Sequence, residues 1–219
     1  MPTTDPAVER ASKLDTSTIS DALDRLAIAG QCLNIKPRDP RFRLAGRAFT
    51  MLYRPVAKPA GTVGDFIDDV APGSVVVIDN AGRENATVWG DILTEIAHRR
   101  GLAGTVIDGA CRDTALCLEL GYPVYSRSYS MRTGKDRVQL DATEIMVDIG
   151  DARVSPGDIM RGDADGVVVI PRQHEAEILS IAEEIAEAED AIRKSVRGGK
   201  RLDQARKEFG YHRLQTKRT

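Results

Sequence analysis

Two short stretches carry side chains suited to chemistry, Gly90-Asp91-Ile92-Leu93 and Arg112-Asp113. In the first, a glycine and an acid open a predicted helix directly after a loop. The N–H groups of a first helical turn, with the helix dipole behind them, favour an anion such as a substrate carboxylate. Asp is also a preferred helix cap, so capping is the alternative role for Asp91. In the second stretch, Arg112 offers a planar donor fork that matches a carboxylate. Asp113 offers a hard oxygen ligand for Mg2+, which takes one or two protein carboxylates and keeps several waters. Here too the alternative is a cap, on the helix that follows. Both stretches follow apolar strands that can be neighbours. They can therefore meet at one edge of a sheet, where open α/β sheets place their ligands.

Other constellations compete poorly. His98 sits mid-helix beside Arg99 and Arg100, and His174 and His212 lie in polar stretches, so all three read as solvated. Asp163-Ala164-Asp165-Gly166 lacks the third acid and the closing Glu of a calcium loop and reads as a β-turn. Arg112 could lower the pKa of Cys111, but without a partnered His a thiol nucleophile is a minor hypothesis. Lys58 is the nearest candidate for a Schiff base, and Pro59-Ala60-Gly61 places it in an exposed loop. No Gly-x-Gly-x-x-Gly or Walker loop is present.

The elements that must position these residues follow from periodicity. Residues 1–13, with Pro2 and Pro6, read as a loose arm. Ile19, Ala22, Leu23 and Leu26 predict a helix capped by Thr18 and stopped by Gly30. Residues 31–43 read as a loop and Leu44 to Tyr53 as a strand. A second helix is predicted from Thr62, through Val63, Phe66, Ile67 and Val70, to Ala71-Pro72-Gly73. Ser74 to Asp79 is a continuous β-branched run, as in a strand covered on both faces, and Asn80 to Asn85 reads as a polar loop. The helix after Asp91 is expected to bury Ile92, Leu93, Ile96 and Ala97, with Gly101 closing it. Thr105 to Asp108 is the next strand, followed by a short helix ending at Gly121 and a strand over Tyr122 to Ser126. Val77-Ile78-Asp79 and Val106-Ile107-Asp108 share an ending, as if one β-loop-α pattern were used twice. Short strands fill residues 138–171. A long helix over 173–196 carries an Ile178, Ile181, Ile185, Ala188, Ile192 stripe suited to docking on a neighbouring element or subunit.

Composition bounds the rest. The chain has 219 residues, 31 basic and 33 acidic, with a formal charge of −2. That balance argues against a nucleic-acid binder, and 5% aromatics with one Trp against a base-stacking surface. Three Cys, an odd number without Cys-x-x-Cys spacing, suit a reducing cytoplasm better than a disulfide framework or a zinc site. No apolar run approaches membrane-spanning length, and the N-terminus does not read as a signal peptide. One domain is expected.

Against this background the chain resembles the RraA-like family. That family includes class II 4-hydroxy-4-methyl-2-oxoglutarate / 4-carboxy-4-hydroxy-2-oxoadipate aldolases and the regulator of ribonuclease E activity A. The aldolases carry an acid, twenty residues, then Arg-Asp, as Asp91, Arg112 and Asp113 do here. Gly101 to Gly109, Ser17 to Leu23, Pro156-Gly157-Asp158 and Asp165 to Pro171 match as well. The resemblance covers residues 14–211, leaving an arm over 1–13 and a basic tail over 212–219.

The resemblance implies a compact α/β sandwich related to the swivelling phosphohistidine-type domain. It also implies a homotrimer or a dimer of trimers, in which the C-terminal helix packs on a neighbouring subunit. It implies that Asp113 ligates Mg2+ or Mn2+, that Arg112 contacts a pyruvyl unit and steadies its enolate, and that Asp91 holds a metal-bound water. Gly90 and the N–H groups of Ile92 and Leu93 would receive the substrate carboxylate. Glu189 of the adjacent subunit, or alternatively Glu187, would complete the metal shell. The activity implied is cleavage of a 4-hydroxy-2-oxo acid to pyruvate and a second oxo acid, with oxaloacetate decarboxylation on the side. A non-catalytic regulator of a ribonuclease is the alternative. A quinone methyltransferase finds no cofactor loop in the sequence. A distal substrate group would be recognised by Arg83, Arg99 or a neighbouring subunit.

Overall fold

A computed structural model describes residues 5–63 and 65–211. Part of the expected loose arm is a helix, α1 (Pro6–Ser12). Asp5 caps it by accepting the N–H groups of Ala7 and Val8, and Pro6 supplies a preset first turn. Seven residues are too few to show a period, and the helix is held by tertiary contacts. Ala11 is fully buried, and Arg47 bridges Asp5 (2.8 Å) and Glu175 (2.6 Å). α2 (Thr16–Arg25) buries Ile19, Ala22 and Leu23 as expected. Its cap is Asp15, whose carboxylate accepts the Thr18 N–H at 2.7 Å, while Thr18 itself is buried. The chain leaves this helix at Ala27 (φ +56°), before Gly30.

β1 (Lys36–Pro37) and β2 (Leu44–Pro55) follow. The helix expected from Thr62 is reduced to one 3-10 turn over Ile67–Asp69, although Phe66, Ile67 and Val70 are buried as its period requires. β3 (Val75–Thr87) continues through the expected loop at 80–85. Its register with the next strand slips twice there, around the left-handed Ala81 and Gly82. α3 (Asp91–Arg99), β4 (Gly104–Cys111), α4 (Thr114–Leu120) and β5 (Val124–Tyr129) complete two parallel β-α-β units. β4 is buried along its whole length, Thr105 and Asp108 included, as a strand covered on both faces must be. The shared Val-Ile-Asp endings lie side by side, with Val77, Ile78 and Asp79 paired to Val106, Ile107 and Asp108.

β6 (Val138–Thr143), β7 (Val147–Ile149), β8 (Ala152–Val154), β9 (Ile159–Gly162) and β10 (Val167–Ile170) are short strands, as expected. The main sheet runs β1-β5-β4-β3-β2-β9-β10, with β6 also on β2. Residues 30–32 pair with β10, and β1, a few residues on, pairs with β5. One segment thus joins both ends of the sheet and curls it into a nearly closed barrel. The β7–β8 hairpin closes over the two buried carboxylates. Asp79 accepts the Asp148 N–H (3.3 Å), and Asp108 accepts the Gly150 N–H (2.9 Å) and pairs with Arg127. Burial pushes the Asp79 carboxyl upward against the two backbone N–H bonds it accepts.

α5 (Glu175–Arg197) and α6 (Leu202–Glu208) end the described chain. The α5 stripe docks on its own chain: Ile178, Ile181 and Ile185 pack with Ile19, Ala22 and Leu23 of α2 and with Ile159, Val168 and Ile170. Of the two expected docking partners for these residues, the neighbouring element is the one observed. Residues 1–4 and the basic tail, 212–219, lie outside the described residues.

Candidate active site

The twenty residues between Asp91 and Arg112 are α3 and β4, one turn of the parallel winding. That winding returns the chain to where it left. The Val88 N–H donates to Ala110 O (3.3 Å), and the Arg112 N–H donates to Trp89 O (2.9 Å). The segment entering α3 therefore runs beside the end of β4, and Gly90-Asp91 meets Arg112-Asp113.

Asp113 stands before α4 with φ +54° and makes no side-chain cap bond to it, which removes the capping alternative. Its Oδ2 lies 3.1 Å from Arg112 Nε and faces the bare Cα of Gly90. A Cβ on Gly90 would stand 2.8 Å from that oxygen and 3.3 Å from Arg112 Nε. Both side chains of the Arg-Asp pair are about 40% exposed (38% and 40%), so the pair is open to a ligand. Asp91 is the first residue of α3, and its Oδ1 accepts the Ile92 N–H at 2.8 Å.

Gly90, Asp91, Ile92, Leu93 and Arg112 line a cleft of about 270 Å³. Ile92 is 72% exposed at its mouth, contrary to the expected burial, because the buried face of α3 is centred on Thr94 and Ala97 and Ile92 points away from it. Thr94 and Ala97 take the buried positions, with Leu93 and Ile96 partly covered. The opposite wall is one that sequence reasoning missed, formed by Thr62, Val63 and Asp65 with Thr133, Gly134 and Lys135. Gly134 is the only local signal there, a glycine pressed against the Thr87 backbone. Thr87 holds this wall through Arg132 O, to which its N–H (3.2 Å) and hydroxyl (2.9 Å) both donate.

Glu189 does not line the cleft within one chain. It lies on α5 and accepts from Arg193 at 2.6 Å. Among the described residues no group of three or more His, Cys, Asp or Glu side chains is arranged to hold a metal. The donor set still fits Mg2+. Asp113 is a hard carboxylate with no cap bond, set in a recess where a Cβ would intrude, and Mg2+ asks for only one or two such ligands plus waters. His98 is exposed on α3, as expected. Asp163 to Gly166 forms the β9–β10 turn, with Asp163 binding the N–H (2.8 Å) and hydroxyl (2.7 Å) of Thr16.

The cysteines are structural. Cys32, Cys111 and Cys117 are all buried and free. Burial pushes Cys32 to about 12 and Cys117 to about 11, and it raises Cys111 despite the Ser126 hydroxyl 3.4 Å away. Arg112 therefore does not activate Cys111. The native protein is expected to resist iodoacetamide at pH 8 and to take up three labels once unfolded. Rapid labelling of Cys111 in the native state, read by mass spectrometry, would reinstate a thiol nucleophile.

Comparisons with known proteins bear on the family and the fold. A family model described as RraA-like, Aldolase/RraA, matches residues 16–169. DlpA of Legionella pneumophila is 37% identical over 201 residues, 90% of this chain; the chain spans 32% of that relative's length. A Halalkalibacterium halodurans protein, provisionally named 4-hydroxy-4-methyl-2-oxoglutarate aldolase, is 32% identical over 83% of each chain. The solved structure of Streptomyces coelicolor RraAS2 is described as an unusual member of the RNase ES inhibitor RraA protein family. It superposes with a TM-score of 0.81 at 26% identity, over 86% of this chain and 97% of that one.

Proposed function

The chain belongs to the RraA-like family, and on that premise we propose that it is a divalent-metal-dependent lyase. It would cleave a 4-hydroxy-2-oxo acid to pyruvate and a second oxo acid. One observation carries the proposal: Arg112 and Gly90-Asp91 line a cleft at the N-terminus of α3, with the Asp113 carboxylate beside Arg112 and facing Gly90 at its edge. Such a site receives an anion, because the first-turn N–H groups and the helix dipole point at it.

The substrate carboxylate takes the first-turn N–H groups of Ile92 and Leu93, and in doing so frees Asp91 Oδ1 from Ile92. The Arg112 guanidinium is set to face the 2-oxo oxygen, where negative charge grows as the C3–C4 bond breaks. Through a water, Asp91 takes the 4-hydroxyl proton as that bond cleaves. The bond's electron pair stays on the pyruvyl fragment as an enolate, and protonation at C3 gives pyruvate. Oxaloacetate would lose CO2 through the same enolate. Mg2+ or Mn2+ held by Asp113 supplies Lewis-acid polarisation when bound. In the proposed homotrimer or dimer of trimers, Glu189 or Glu187 of a neighbouring copy would complete that shell. Among the described residues no helix is long and apolar enough to cross a membrane.

The deciding experiment is a coupled pyruvate-release assay over a panel of 4-hydroxy-2-oxo acids and oxaloacetate. EDTA is expected to reduce release to background, and Mg2+ or Mn2+ to restore it. Full activity in chelator together with borohydride inactivation would overturn the metal mechanism in favour of a lysine. The similarity to RraAS2 favours a second reading, a protein-binding regulator of a ribonuclease. Capture of a ribonuclease with no turnover of any oxo acid would reverse the choice.

A further inference from the structure

Behind the cleft a single buried hydroxyl joins the residues that shape it. Thr94 is 1% exposed, and its Oγ1 accepts the indole N–H of Trp89 at 2.9 Å. The same oxygen donates to Gly90 O, also at 2.9 Å, and the Thr94 N–H donates there at 3.0 Å. A hydroxyl has one proton to give, so accepting from the indole and donating to the carbonyl fixes its orientation. The indole is held on its other side by stacking on Tyr122, with ring centroids 6.3 Å apart. The Trp89 carbonyl accepts the Arg112 N–H. One chain of contacts thus runs from Thr94 through Trp89 to Arg112 and through Gly90 to the recess occupied by Asp113 Oδ2.

We infer that Thr94 is a positioning residue, whose hydroxyl sets the placement of Gly90-Asp91 against Arg112-Asp113. The inference rests on the reading of this cleft as an active site. Valine matches threonine in shape but leaves the indole N–H without an acceptor and Gly90 O with a single donor. The segment before α3 then shifts, and the Gly90 recess shifts with it. Serine keeps both hydrogen bonds. Trp89 is the chain's only tryptophan, so one indole resonance reports on the contact.

The test compares Thr94→Val with Thr94→Ser in the full chain. In Thr94→Val the Trp89 indole proton is expected to exchange with solvent at least about tenfold faster. The backbone amide resonances of Arg112 and Asp113 are expected to move. With a substrate that the wild type turns over, kcat falls by about 10- to 100-fold with a smaller change in KM. Thr94→Ser retains wild-type values in all three. Wild-type Arg112 and Asp113 amide positions with wild-type kcat in Thr94→Val would overturn the inference. If the wild type releases no pyruvate from any oxo acid, the lyase reading fails, and the Arg112 and Asp113 resonances alone decide the role of Thr94. Should Thr94→Val not fold, Trp89→Phe removes the indole donor while keeping a ring against Tyr122, and the same amide shifts decide.

Discussion

Asp113→Asn is expected to lower pyruvate release by on the order of a thousandfold while leaving the protein folded. Losing the anionic oxygen ligand that this cleft itself supplies removes the several kcal/mol of charge stabilisation that a bound metal contributes, which sets the size of the effect. The fold has little reason to notice. The Asp113 carboxylate caps no helix, and its charge partner is the half-exposed Arg112, a pair worth about 0–1 kcal/mol. Asparagine is the right replacement because residue 113 has φ +54°, a left-handed conformation that Asn adopts at less cost than most residues, and because it keeps the shape of the side chain while removing its charge. Steady-state kinetics across a Mg2+ titration, beside a thermal melt, make the measurement. Wild-type turnover in this variant would remove Asp113 from the site.

Gly90→Ala is expected to cost about a hundredfold in kcat, with a melting temperature close to that of the parent. The backbone is not the obstacle, since residue 90 has φ −148°, which alanine adopts freely. The obstacle is the new methyl, 2.8 Å from Asp113 Oδ2 and 3.3 Å from Arg112 Nε. Those two side-chain ends can yield, so stability is spared and alignment is lost. Unchanged kcat and KM would show that the Asp113 carboxylate does not work from the position facing Gly90.

Much of this arrangement was legible in the sequence because it rests on local pattern. The β-branched run at 75–78 and the Val-Ile pair at 106–107 announced buried parallel strands. Parallel neighbours wound the same way bring the residues after each strand to one end of the sheet, hence the meeting of Asp91 with Arg112-Asp113. The wall at 133–135 was not legible. It follows no period, and it is placed by bonds from Thr87 to Arg132 O, 45 residues apart. α1 is too short to show a stripe, and the apolar positions after Thr62 bury their side chains from a single 3-10 turn. Ile92 is exposed because the buried face of α3 is set by Thr94, whose hydroxyl is bonded inward, and apolar spacing alone does not show that a threonine takes an interior position. The choice between Glu187 and Glu189 lies on a helix whose acids recur at every face, and no pattern in one chain separates them.

The strip of chain at 30–37 that ties β10 to β5 also governs how copies of this protein can meet. A sheet with a long bare rim is a template on which another chain adds a strand, the first step of aggregation. Here both ends of the main strand order are occupied by the protein's own backbone. The rim left over is β6, six residues long, with a register slip against β2 at Leu52/Tyr53 and with Asp141 held by Arg54 at 2.7 Å. Shortness, a bulge and charge each discourage strand addition. Self-association is thereby steered away from main-chain pairing and onto side-chain surfaces, where sequence can specify which faces touch.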